Sequence, residues 1–195
     1  MPIHKLTKKQ GIYFITFTCH NWLPFIEKTN SYDVLYNFFE LLQQKGNSIC
    51  GYVLMPNHVH FLLHYTGVQS LNTLIGNGKR FAAYELVNRL KNNSENELLT
   101  LLATSVTSKD KNKGQKHMVW NESFDVKECR TEVFIEQKLH YMHNNPLSGK
   151  WTLCGQSIDY PHSSARFYFN GTEGNFPVTD YRIILAEKLD KQPTH

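Results

Sequence analysis

Apolar positions along the chain fall into two rhythms, one of strands and one of helices. Gly11 to Cys19 (Gly-Ile-Tyr-Phe-Ile-Thr-Phe-Thr-Cys) is aromatic and β-branched and predicts a first strand. From Ser31 the spacing changes: Val34, Leu35, Phe38, Phe39 and Leu42 recur at helical intervals, with Ser31 as N-cap and Gly46 as stop. Ile49 to Met55 predicts a second strand, broken by Pro56-Asn57 before a third apolar run, His58-Val59-His60-Phe61-Leu62-Leu63-His64. Ser70 then caps a helical pattern through Leu71, Leu74, Ile75, Phe81, Ala82 and Leu86, whose first half Gly76 and Gly78 weaken. Asn92 to Ala103 shows no clear period and reads at most as a short helix, and the polar, basic stretch Ser105 to Lys116 reads as a mobile surface loop. Met118-Val119-Trp120 reads as a short strand, and Thr131 caps a helix that runs to Asn145 and stops at Pro146. Further helices are predicted around Ser163 to Phe169 and Thr179 to Lys188. Strands close in sequence and separated by helices predict an α+β fold built on a mainly antiparallel sheet.

The 195 residues suit a single domain, and 41% hydrophobic with 13% aromatic content indicates a packed globular core. No apolar run reaches membrane-spanning length, and Met1-Pro2-Ile3-His4-Lys5 lacks the apolar core of a signal peptide, so the expected location is the cytoplasm, with no membrane partner. Cys19, Cys50, Cys129 and Cys154 form no C-x-x-C pair and are expected to be reduced and buried. The net charge of +4 permits a nucleic-acid partner without requiring one.

Candidate chemistry starts at the third run. Alternation along a strand points His58 and His60 to the same face, roughly 7 Å apart, with Val59 turned to the other side. Two imidazoles projecting together from a strand are half of a metal site. On the helix ending at Pro146, Ile135, Leu139 and Met142 make the apolar stripe. Tyr141 and Asn145, four apart, share a face at its edge. Taken singly, Tyr141 reads as edge-of-core packing, Asn145 as an ordinary helix end, and His64 and His143 as bystanders.

In combination, Met55-Pro56-Asn57-His58-Val59-His60 and Tyr141-Met142-His143-Asn144-Asn145-Pro146 resemble the single-tyrosine transposases of the HUH endonuclease class, most closely the REP-associated tyrosine transposases. Gly11 to Thr18 is similar to that family's first strand, and Ser163-Ser164-Ala165 near Tyr160 to its C-terminal signature, so the resemblance covers about residues 8–170. It implies a ferredoxin-like or RRM-like antiparallel sheet with helices on one side, in one domain. It also implies a divalent metal, Mg²⁺ or Mn²⁺, held by His58, His60 and Asn145, with Tyr141 as nucleophile on single-stranded hairpin DNA. Asparagine at the third ligand position departs from insertion-sequence relatives, which often carry glutamine, and matches the REP-associated branch. Leu98 to Lys116 resembles an extra insertion, and nothing is carried onto it. Some relatives complete the site across a homodimer; the REP-associated ones imply a monomer.

The residue types suit the reaction. A phenol is largely protonated at neutral pH and attacks weakly, so phosphate polarisation by a bound cation is what such a nucleophile needs. Nitrogen and amide-oxygen ligands leave positions open for phosphate oxygens, which fits Mg²⁺ or Mn²⁺ better than a closed zinc site. Lys79, Arg80, Arg89 and Lys138 are candidate DNA contacts, although such cations also solvate helix faces, as Lys109, Lys111, Lys113 and Lys116 are expected to do. Trp22, Trp120 and Trp151 are expected in the core, where an exposed one could instead stack on a base. Two other functions compete with strand transfer. One is a hairpin-binding protein with idle chemistry; the other is a zinc hydrolase, disfavoured because Phe61-Leu62-Leu63-His64 brings no aspartate after the histidine pair.

Overall fold

A computed structural model of the chain describes residues 9–149 and 151–190. Its strands are β1 (Gly11–Thr18), β2 (Ser48–Leu54), β3 (His58–Tyr65) and β4 (Asp125–Cys129). Its helices are α1 (Phe25–Lys28), α2 (Tyr32–Gln44), α3 (Leu71–Asn92), α4 (Asn96–Thr104), α5 (Ser108–Lys111), α6 (Glu132–His143), α7 (Ala165–Asn170) and α8 (Tyr181–Asp190). The sheet runs β2-β3-β1-β4 with every neighbouring pair antiparallel, and the succession β1-α2-β2-β3-α3-β4 is ferredoxin-like.

Strands β1, β2 and β3 are buried along nearly their whole length on both faces, so both faces must be covered. Tyr13, Ile15 and Phe17 of β1 lie beside Val59, Phe61 and Leu63 of β3, and this face packs on Leu35, Phe38, Phe39 and Leu42 of α2 and on Leu74, Ile75 and Leu86 of α3. Ile12, Phe14 and Leu62 face the other way and meet Ile135, Leu139 and Met142 of α6, joined by Tyr181 and Ile184 of α8. Helices therefore lie on both sides of the sheet, not on one as the resemblance implied. The second layer carries the tyrosine helix.

Two glycines set how closely the layers approach. A Cβ on Gly78 would fall 2.0 Å from the Phe38 ring, so the helix propensity lost at Gly78 is exchanged for close contact with α2. A Cβ on Gly51, where β2 slips register, would come within 2.8 Å of both Leu139 and Met142, so its absence seats α6 on the sheet.

Local departures from the sequence reading have simple causes. β4 (Asp-Val-Lys-Glu-Cys) escaped notice because it is a short, half-polar edge strand paired only through β1. Met118 to Trp120 makes only one bridge, Trp120 to Cys19, instead of a strand. The stretch Ser105 to Lys116 holds a turn of helix, α5, capped by the Thr107 hydroxyl, with Asp110 buried against it. Ser31 and Ser70 precede helices without side-chain caps, whereas Thr131 Oγ1 accepts from the Phe134 N–H at 3.3 Å as predicted. Helix α6 ends at His143, so Asn145 opens the following 3-10 turn, Asn145–Leu147.

Candidate active site

Alternation in β3 turns His58 and His60 toward α6, as the sequence predicts, and both are almost fully buried, at 6% and 5% exposure. Opposite them in β1 stand Thr18 and Thr16. The rings lie 4.7 Å apart between centroids. Tyr141, on the exposed edge of α6, lies 5.4 Å from the His60 ring and 6.1 Å from Phe14, which itself stacks on His60 at 5.4 Å. Asn145 reaches back from the turn after α6 to bring Oδ1 to 3.2 Å from His58 Nε2. The structure thus gathers His58, His60, Tyr141 and Asn145 in one place, within one chain.

A residue that the sequence reading passed over orients this group. Asn57 is fully buried, and its Nδ2 donates to the Trp22 carbonyl at 2.8 Å, which leaves Oδ1 to accept from His58 Nδ1 at 2.7 Å. The neutral His58 ring then carries its proton on Nδ1 and presents a bare Nε2. Nε2 faces the Asn145 oxygen, a second acceptor; half a turn of that amide would give an ordinary N–H···N bond, while the oxygen-inward orientation offers two ligands aimed at one point. His60 Nδ1 is likewise engaged by Thr16 Oγ1 at 2.6 Å, and a hydroxyl that accepts there leaves His60 Nε2 free. Among the described residues no group of three or more His, Cys, Asp or Glu side chains could hold a metal, so any ion here would depend on the amide as its third protein ligand. Two bare imidazole nitrogens and an amide oxygen, with second nitrogens pinned from behind, fit a divalent cation that keeps open positions. Asn57→Ala is expected to cost about 10- to 100-fold in Mn²⁺ affinity, measured by titration, because the ring loses its orienting partner.

Burial holds both imidazoles neutral. It pushes His58 down to about 4, partly offset by the Asn145 oxygen, and His60 well below its usual range, helped by His58 and the Lys138 ammonium. His143, 2% exposed, is also pushed down to about 4 by burial. A histidine whose folded value lies below its unfolded one leaves the unfolded chain binding more protons between the two. Stability is therefore full above about pH 6.5 and is lost as pH falls toward 4, by on the order of 3 kcal/mol for His143 alone. Thermal melts between pH 7.5 and 4.5 should show a steep drop in Tm beginning near pH 6.

The four cations proposed as DNA contacts do not form one surface. Lys138, one turn before Tyr141, holds its ammonium 5.7 Å from the Tyr141 ring and 5.3 Å from Phe14 and belongs to the site. Lys79, Arg80 and Arg89 sit on α3, across the sheet. The Lys79 ammonium is buried, donating to the carbonyls of Asn121 and Ser123, and desolvation pushes it down to about 8. Arg89 is spent on a two-pronged pair with Asp33 and a bond to Glu85. Both are engaged in structural contacts, which helical spacing alone cannot tell from a solvent-facing placement. Arg80 stays exposed over Phe81, in an open groove between α3 and residues 109–122.

The sequence profile of the family described as "Transposase IS200 like" matches residues 7–145, from before β1 through Asn145. The chain belongs to the IS200-like transposases. Among solved structures the fold is similar to that of a REP-associated tyrosine transposase bound to a REP hairpin, with a TM-score of 0.59, 14% identity, and coverage of 92% of this chain and 93% of that one. A protein from Deinococcus radiodurans assigned as a transposase also matches, at 16% identity and TM-score 0.43, over 74% of this chain and 97% of the other. No curated protein matches the chain. The IS200-like family and the ferredoxin-like fold agree with the resemblance read from the sequence. No helix among the described residues is long and apolar enough to cross a membrane.

Proposed function

We propose that this IS200-like transposase cleaves and rejoins single-stranded DNA beside a hairpin, using Tyr141 as nucleophile and a divalent metal, Mg²⁺ or Mn²⁺, held by His58, His60 and Asn145. The observation that carries the reading is the convergence of a bare His58 Nε2 and the Asn145 oxygen at 3.2 Å, with the solvent-facing Tyr141 ring over the adjoining His60. A bound cation would supply charge to polarise the scissile phosphate. The chain's own residues do the rest. Asn57 and Thr16 fix the two imidazoles, Lys138 places a positive charge beside the phenol where phosphate charge builds up, and the packing of Phe14 and His60 holds the Tyr141 ring in position. Attack forms the bond from Tyr141 Oη to phosphorus and breaks the bond to the 3′ oxygen. The phenol gives up its proton and the leaving oxygen gains one, so a 5′-phosphotyrosine and a 3′-hydroxyl result. Reversal rejoins strands without an external energy source. The hairpin partner is suggested by the solved relative, which is bound to one, and a DNA substrate is compatible with the cytoplasmic location expected from the sequence.

The test is incubation of the chain with labelled hairpin oligonucleotides carrying single-stranded arms, plus Mn²⁺, followed by a denaturing gel. A protein–DNA band that EDTA prevents supports the reading, and tight hairpin binding without such a band favours a binding protein with idle chemistry. Because every site residue comes from one chain, the site is proposed to work in a monomer. Mixing Tyr141→Phe chains with His60→Ala chains should then restore no adduct, whereas a site shared between two copies would recover about a quarter of it.

A further inference from the structure

The turn after β1 departs from ordinary backbone. Asn21 and Trp22 both sit in the left-handed region, at φ 53° and 57°, side by side and with neither a glycine. Such conformations are costly for residues with side chains and persist where the surroundings impose them. The surroundings here are visible: Trp22 N–H donates to the Cys19 carbonyl at 3.0 Å, and Asn57 Nδ2 clamps the Trp22 carbonyl at 2.8 Å. The strain does not bury the indole. Trp22 is 56% exposed, against 7% for Trp120, contrary to the core placement its size predicts. Its ring stands 5.7 Å from His58 and tilted across it. Trp22, His58, His60 and Tyr141 therefore form a row of rings at successive centroid spacings of 5.7, 4.7 and 5.4 Å. The indole stands at one end of the row and the phenol at the other, with the histidine pair between.

We propose that Trp22 is a base-stacking platform, which receives an unpaired base next to the phosphate lying over His58 and His60 and so sets which phosphate Tyr141 meets. The inference rests on the proposed strand-cleavage reading. An aromatic face held open by a strained turn, beside a candidate phosphate site, suits the flat face that every base offers. The shared Asn57 amide ties the platform to the His58 ring, so the base and the phosphate are positioned against one rigid unit.

The test uses the full chain carrying Tyr141→Phe, so that no covalent step intervenes, without added metal. The probe is a DNA hairpin with oligothymidine arms in which 2-aminopurine is walked along each unpaired position. One position should be quenched on binding, and Trp22→Ala should abolish that quench and weaken binding about tenfold, the effect of one lost base–aromatic stack. Trp22→Phe should recover most of both. An abasic site at the same position should make Trp22→Ala silent, which a purely structural loss would not do. Equal binding by Trp22 and Trp22→Ala chains, or a quench that survives the substitution, overturns the platform while leaving strand cleavage intact. Failure of both chains to bind any hairpin overturns the platform and the DNA reading together.

Discussion

Tyr141→Phe is expected to reduce covalent adduct formation by about a thousandfold or more while leaving hairpin affinity within about threefold. The substitution removes one oxygen and nothing else that holds the structure: the Tyr141 ring makes its contacts to His60 and Phe14 through its aromatic faces and edges, and it is half exposed. Phenylalanine keeps those contacts and Lys138 keeps an aromatic partner. A fall in adduct with unchanged binding and unchanged Tm therefore isolates the nucleophile. A fall in all three would point to packing.

Mn²⁺ is expected to raise the Tm of the unchanged chain, and His60→Ala to abolish that rise and to eliminate the adduct at any metal concentration short of millimolar. A ligand that binds only the folded state stabilises it in proportion to the logarithm of its concentration over Kd, so losing one of the three proposed ligands should remove several degrees of metal-dependent shift. His60 is the informative choice because its loss leaves only the Thr16 hydroxyl to be re-satisfied, at a position that is not fully buried. Removing His58 would instead strand the oxygen of the buried Asn57.

The parts of this site that sequence made legible are those set by period. Alternation put His58 and His60 on one face, and the helical interval put Tyr141 and Asn145 near each other even though α6 ends between them. What period does not encode was missed. Asn57 read as part of a break between strands, yet its amide is the hinge between His58 and Trp22, because only the fold brings the turn after β1 against the start of β3. Trp22 read as core because indoles usually are, and only its left-handed backbone shows why it faces outward. Lys79 and Arg89 read as exposed cations because helical spacing on α3 says nothing of the carbonyls of Asn121 and Ser123 or of Asp33 waiting in neighbouring segments. The two-sided covering of the sheet was foreshadowed by strands apolar at nearly every position, a pattern that one helical layer could not have satisfied.

The most direct measurement is the identity of the bond itself. The adduct formed with Mn²⁺ on a hairpin oligonucleotide would be digested and analysed by mass spectrometry, with parallel substrates labelled at either end. A nucleotide linked through its 5′ phosphate to the peptide containing Tyr141, retaining the 3′-terminal label and releasing a fragment with a free 3′-hydroxyl, is the predicted result. Retention of the 5′-terminal label, or attachment to any residue other than Tyr141, would contradict it.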